Sequence, residues 1–534
     1  MTKRNYATVN PCVMCQPMGS ALAFRGIENT MVLYHGSQGC STYMRLHLAH
    51  HFREPVDIAS SALSEKGAVY GGRENLKKGL RNVINRYNPK VIGVATTCLA
   101  ETIGDDVPAI IREFKEEEGL GDDPEKDIII IPVSTPSYGE SHVSGYIKAL
   151  DAVVRKFAEK QEEQGKPEKP EKTEKAEKPE RTKLSRGIEI MDYMESMEIM
   201  EYTEIMEKGK AEGTSLEAEG FDTKELAKGK LNVIPVESLS PADIRELKEI
   251  LEIMAGEYVF MPDISETFDA PLREDLPRIA KGGTPLSEIA DMPNSRASLG
   301  LGIVSKNLAL EYLRKSHGVP GRNVPIPIGL SNTDSFFTEL AHIFGCPIPE
   351  KYQRERGRLL DAMVDVHKYL YGVKAAVYGD PDLVFSLTTF MLELGMHPVL
   401  IATGSESRDF GKRIEQVFEE KPELKYSALD GIDFDSLNDA ITECNPEILI
   451  GNSNGRYIAK ARDIPLVRVG LPIHDRVGAQ RILTVGYRGA MELLDRLTNA
   501  ILEATDTFTA PVQVGSTAYT GKRIEEECVK GADE

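Results

Sequence analysis

No stretch of this chain comes near the roughly 20 consecutive apolar residues that a helix needs to cross a bilayer, so a membrane-spanning protein is not expected. The N-terminal MTKRNYATVNPCVMC lacks the apolar core of a secretory signal, which makes a cytoplasmic location the expectation. Positive charge is scarce: 64 Lys and Arg stand against 84 Asp and Glu, a net charge of −20. Nucleic acid is therefore not expected as a partner. Cysteine is too sparse and irregular for a disulfide framework, with seven in 534 residues, an odd number. The Cys12–Cys15 pair is followed by no second CxxC and no His pair at finger spacing, so a zinc finger is not expected. A dinucleotide GxGxxG and a P-loop are also missing, so no nucleotide site is read. Tryptophan is absent and histidines number ten, and neither decides anything alone.

What the chain does have is alternation, over a length that calls for two to four domains. VIGVATT (91–97) and DIIIIPVS (127–134) are continuous, β-branched runs that predict buried parallel strands. ENLKKGLRNVINRYN (74–88) and DDVPAIIREFKEEEG (105–119) predict helices beside them. The pattern restarts at LNVIPV (231–236) and again at KAAVYGDPD (374–382). Strand, helix and strand repeated in this way predict an α/β fold of doubly wound units. Three Rossmann-like domains with parallel sheets are expected: 1–155, which carries the candidate ligands, 229–372, and 373–534 with a C-terminal tail. Residues 156–228 read as an insertion. Its Lys/Glu/Pro part (156–183) has too few apolar groups to offset chain entropy and is expected to be disordered or extended. Met191, Met194, Met197 and Met200 then recur every three residues, a helical face that either covers its own domain or meets a partner.

The chemistry-bearing residues lie in turns beside apolar runs. Cys15 sits in NPCVMCQPMG, Cys40 ends HGSQGC, Cys98 sits in ATTCLAETIGDD and Ser137 in STPSYGESHVSG. In open α/β sheets ligands collect at the carboxyl ends of strands. Cys98 follows VIGVATT at a helix start, a place that favours a thiolate. Ser137 follows the next strand, and Cys40 follows MVLYHG with Gly36 and Gly39 allowing close backbone approach. Thiolates offered from several loop tips suit a large soft-metal cluster better than one zinc ion. The plainer alternative for any one of them is a small buried hydrophobe. That is the reading taken for Cys12, Cys346 and Cys444, with Cys528 a bystander in a polar tail. His47, His50 and His51 have helical spacing without a further ligand and are expected in a polar or interface role. Asp380 and Asp382 in AVYGDPD resemble a ligand-binding βα turn, and LPIHDRVGAQR carries His474, Asp475 and Arg476 without a Ser–His–Asp triad being expected.

Taken together, HGSQGC, HFREP, the VYGG–NLKKGL run, TTCLAETIGDD, TPSYGESHVSG, PIPIGLSNTD, YGDPD and GNSNGRY resemble β-type subunits of the nitrogenase component-one superfamily, over nearly the whole chain. The resemblance implies three Rossmann-like domains, an α-type partner in an α2β2 heterotetramer, and an iron–sulfur cluster across each α/β interface. The N-terminal segment and LPIHDRVGAQR look like the NifN-type scaffold subunit, on which the iron–molybdenum cofactor is matured. That implies a NifE-like α-type partner, a transient cofactor precursor received from NifB, electrons from the Fe protein, and transfer to apo nitrogenase. It also implies no turnover chemistry, and so no catalytic residue, in this chain. By the same resemblance Cys15, Cys40 and Cys98 match the three β-side thiolates of the P-cluster and Ser137 its serine ligand, while Cys40 matches the cysteine of the scaffold's four-iron cluster. The implied group is a 4Fe–4S or P-cluster-like centre. Some scaffold subunits have lost the first and last of these cysteines, and this chain keeps all of them. That retention supports the alternative, the catalytic β subunit of molybdenum–iron nitrogenase. Further alternatives are a nitrogenase-like reductase for another substrate and an assembly subunit without metal.

Overall fold

The computed structural model describes residues 13–121, 128–138, 140–164, 229–272, 274 and 277–505. Most of the charged insertion, the methionine repeat, Cys12 and Cys528 lie outside the described residues. In chain order the first unit runs α1 (Gln16–Arg25), β1 (Thr30–His35), α2 (Gln38–Phe52), β2 (Ile58–Ser60), α3 (Glu65–Tyr70), α4 (Arg73–Tyr87), β3 (Val91–Thr96), α5 (Cys98–Ile103), α6 (Val107–Glu118), β4 (Ile129–Val133) and α7 (His142–Gln164). Its strands are parallel in the order β2-β1-β3-β4. Every residue of β1 and β3 is buried, which is why these strands read as unbroken apolar runs. Met31, Leu33, Ile92 and Val94 face Leu76 and Leu80 of α4 and Ile110 and Phe114 of α6. Val32, Tyr34, Val91 and Ala95 face the opposite way, into the core that holds α1 and α7.

The second unit has β5 (Leu231–Ile234), β6 (Tyr258–Phe260), β7 (Ala297–Leu301) and β8 (Gly321–Val324), parallel in the order β6-β5-β7-β8. The third has β9 (Lys374–Gly379), β10 (His397–Thr403), β11 (Ser427–Leu429), β12 (Ile448–Gly451) and β13 (Leu466–Arg468), parallel in the order β11-β10-β9-β12-β13. Each sheet grows outward in both directions from its first strand. That leaves a crevice at the carboxyl ends where the order reverses, between β1 and β3, β5 and β7, and β9 and β12. The expected fold class, α/β with doubly wound parallel sheets, is the one observed.

Two features differ from the sequence reading. Helix α7 continues through Gln164 into the segment assigned to the insertion, because Phe157 and Ala158 are buried and no proline lies between His142 and Pro167. The last helix, Gly486–Thr505, falls by sequence in the third unit but packs on the helices Leu330–Phe344 and Glu350–Leu370. Tyr487 stacks on Phe337 at 5.4 Å and donates to Asp334 Oδ1 at 2.6 Å. No described helix is long and apolar enough to cross a membrane.

Candidate functional site

The crevice of the first sheet gathers the sequence-predicted ligands. Strands β1 and β3 pair in register from Thr30–Val91 to His35–Thr96, so they end side by side. The chain leaves β1 through Gly36 and Ser37 into α2, whose first turn holds Cys40. It leaves β3 through Thr97, the N-cap of α5, whose first residue is Cys98. A Cβ on Gly36 would fall on the Thr97 side chain, which is the close approach that this glycine permits. Ser137 stands in the loop between β4 and α7. Cys15 is the N-cap of α1, with extended backbone and Pro17 in the first helical turn.

Hydrogen bonds knit these tips together. Gln16 N donates to Ser137 Oγ at 3.0 Å, Ser137 N to Cys98 Sγ at 3.3 Å, and Ser37 Oγ to Cys40 Sγ at 3.5 Å. Gln16 Nε2 also donates to Pro136 O at 2.6 Å and Glu140 Oε2 at 2.7 Å, binding the α1 start to the Ser137 loop. Cys15 is exposed on the lone chain, yet enough protein surrounds its sulfur for burial to raise the thiol pKa. A hydrogen bond from Ser137 opposes that rise, and the Cys98 and Cys40 sulfurs add to it. The three thiols and the serine therefore share one surrounding. The three sulfurs do not all lie within 4.8 Å of one another, since among the described residues only His142, Glu237 and Asp380 form such a group. Thiolates offered from separate loop tips suit a polynuclear cluster with bridging sulfide better than a single ion.

Around the crevice the support is polar beneath and apolar above. His35, wholly buried, contacts Ser61 Oγ through Nδ1 and Asp105 Oδ2 through Nε2, each at 2.9 Å. Asp105 accepts Gly72 N at 2.9 Å, so one buried pair fixes both the α3–α4 turn and the turn after α5. Tyr43, Leu46, Val69, Tyr70 and Tyr138 are exposed large hydrophobic side chains on α2, on α3 and beside Ser137. Exposed apolar side chains gathered on neighbouring elements are what an interaction face offers.

The other sequence candidates go elsewhere. Cys346 and Cys444 are partly buried against core clusters, as ordinary packing thiols. His47, His50 and His51 do not form a metal site with one another. His51 is driven down to about 3 by burial, with His474 and Arg53 adding to this, so it stays neutral and accepts Ile473 N at 2.8 Å. His47 Nδ1 lies 3.3 Å from His474 Nε2, a pairing across 427 positions of sequence that local spacing could not disclose. Asp475 is bound to Arg468, with its nearest contact at 2.7 Å. A GxSxG spacing does occur at Gly451–Gly455, but Ser453 is buried, donating to Pro472 O and accepting His474 N at 3.0 Å each. Asp382 accepts Val304 N at 2.7 Å and Ser305 N at 3.0 Å, a tie between units in place of a ligand turn. Sequence reading missed His35, Gln16 and His142. Each stands beside a predicted ligand motif, which is the signal that could have raised it.

The family model described as "Nitrogenase component 1 type Oxidoreductase" matches residues 15–502. The nitrogenase molybdenum-iron protein beta chain of Methanococcus maripaludis is 37% identical over 508 residues, covering 94% of this chain and 96% of its own. The protein of the same name from Clostridium pasteurianum is 33% identical, covering 94% and 95%, and that of Azotobacter vinelandii is 33% identical, covering 96% and 87%. The solved structure "Nitrogenase Cp1 at pH 6.5" superposes with a TM-score of 0.78 at 31% identity, covering 97% of this chain and 98% of that one. These relatives are named as β chains of the molybdenum–iron protein and not as scaffold subunits.

Proposed function

This chain belongs to the nitrogenase component 1 type oxidoreductases, as a β-type subunit, and on that footing we propose that Cys15, Cys40, Cys98 and Ser137 hold an iron–sulfur cluster at the interface with an α-type partner. The observation that carries this is the convergence of three thiols and a serine hydroxyl at the crevice between β1 and β3, with exposed apolar side chains on α2, on α3 and beside Ser137. When bound, such a cluster supplies one-electron transfer. This chain's part is to present the thiolates, to bring Ser137 against Cys15 and Cys98, and to seal the site from water with Tyr43, Tyr70 and Tyr138 once a partner covers them. An Fe protein would supply the electrons, and a precursor held mostly by the α-type partner would receive them.

The finer role assigned here is the scaffold on which the iron–molybdenum cofactor is matured. It is supported by the resemblance of LPIHDRVGAQR to scaffold subunits; His474 and Ile473 of that segment seat against His47 and His51 of the helix that bears Cys40. A second reading, the catalytic β subunit, is favoured by the complete four-residue ligand set and by the names of the relatives. The test is anaerobic co-purification with the α-type partner, followed by iron and molybdenum analysis and an assay with Fe protein. Iron without stoichiometric molybdenum, no ammonia, and activation of apo nitrogenase are expected of the scaffold. Bound molybdenum and ammonia formation would establish the catalytic subunit instead. Cys40→Ala should abolish iron binding, and unchanged iron in that variant would sink the cluster assignment.

A further inference from the structure

One side chain from each of the three units meets the others at a buried point. His142 follows β4, Glu237 follows β5 and Asp380 follows β9. All three side chains are buried, and one ligand-capable atom from each lies within 4.8 Å of the other two. None of them belongs to the four-residue cluster site. Two occupants would suit such a triad, a divalent cation or a proton, and the imidazole decides between them. Met14 N donates to His142 Nδ1 at 3.4 Å, while His142 N donates back to Met14 O at 2.9 Å. A neutral ring that accepts at Nδ1 carries its hydrogen on Nε2. A protonated Nε2 has no lone pair for a metal. It lies instead 3.1 Å from Asp380 Oδ1, off the angle of a straight hydrogen bond. Protonation agrees: Glu237 is pushed up to about 8 by burial, with Asp380 adding to this, so near neutral pH it keeps its proton.

Met14 is the residue before Cys15, and this reciprocal pair is what holds it. The chain on the other side of Cys15 is held by Gln16 N on Ser137 Oγ. A Cβ on Gly19 would fall on the His142 carbonyl, so α1 lies directly on the start of α7. We propose that His142 is a positioning residue for the cluster: braced by Asp380 from the third unit and Glu237 from the second, its ring and backbone hold Met14 so that the Cys15 thiolate faces Cys40, Cys98 and Ser137. The inference rests on the cluster reading above. It makes the aim of Cys15 a property of all three units, although every ligand comes from the first.

The experiment compares the anaerobic α/β-type complex of the parent with His142→Ala, His142→Asn and Asp380→Asn, reading iron per chain, iron retained against a chelator, and the electron paramagnetic resonance of the cluster. Loss of a group that orients a ligand weakens metal retention about 10- to 100-fold. His142→Ala is expected to lose iron on that scale and to change the resonance signal. His142→Asn, whose amide oxygen takes the place of Nδ1 as acceptor, should recover most of the iron. Asp380→Asn should keep the iron and alter the signal. Parent iron and parent spectrum in His142→Ala would overturn the proposal. Should that variant fail to assemble, Asp380→Asn carries the test, and an unaltered signal overturns it. A divalent metal held by the parent and lost in Asp380→Asn, with the cluster signal untouched, would also overturn it and make the triad a metal site. A parent complex free of iron would overturn the cluster reading and this inference together, a failure distinct from an iron-loaded complex indifferent to His142.

Discussion

Glu237 stands where burial and a neighbouring carboxylate push the same way, and its proton is tied to the stability of the chain. Burial first, and then Asp380, raise its pKa from 4.5 to about 8. Between those values the folded chain keeps a proton that the unfolded chain has released, so stability falls as pH rises through that window. Each pKa unit is worth roughly 1.4 kcal/mol, so the full effect is a few kcal/mol. Glu237→Gln, which stays neutral, should raise the melting temperature at about pH 8 and leave it nearly unchanged at about pH 5. A melting series across pH checks this, and a parallel pH dependence in variant and parent would refute it. The residue could be seen in the sequence as an acid after an apolar run. Its partners, His142 and Asp380, are 95 positions before it and 143 after it, and no local pattern links them.

At the scale of elements, the site depends on α1 lying against α7. Gly19 and Gly145 make that approach possible: a Cβ on Gly145 would fall on the Gln16 carbonyl, and one on Gly19 on that of His142. In an isolated helix, Gly145→Ala would be favourable by about 1 kcal/mol. Here the backbone collision outweighs that gain, and overpacking of this kind costs roughly 1–3 kcal/mol or more. The net expectation is a lower melting temperature together with faster alkylation of Cys15, because the Gln16–Ser137 contact is pushed apart. Equal labelling rates in variant and parent would refute it. The helices and strands themselves were legible: α4, α6, β3 and β4 appear within a residue or two of the runs that predicted them. The short edge strands β2 and β11, of three residues each, carry too little periodicity to be read.

At the scale of the whole molecule, the three units are locked by buried polar ties rather than by apolar contact alone. Asp243 caps its own helix, Pro241–Met254, in a reciprocal box with Ser240. Its other oxygen accepts Thr484 N at 2.6 Å and Val485 N at 3.2 Å, at the root of the last helix. Arg488 on that helix reaches back to Glu246 and Glu249. Asp243→Ala removes a cap and leaves buried N–H groups unpaired, a loss of about 3 kcal/mol or more. It should free the segment from Thr484 onward, read as early proteolytic cleavage there before global unfolding. Cleavage elsewhere, or none, would show that the helix is held by its apolar face alone.

The sequence by itself determined the α/β class, the three restarts of the strand pattern, and the turn tips that carry Cys15, Cys40, Cys98 and Ser137. These follow from periodicity and turn chemistry, which are local properties that survive without knowledge of the partner strand. Only the tertiary structure decided that the four candidates share one crevice, that His47 meets His474, that the last helix packs on the second unit, and that His142 is braced from two other sheets. Such pairings depend on how finished units dock, through buried polar contacts between residues distant in the chain. No periodicity in either segment encodes which distant side chain will face it.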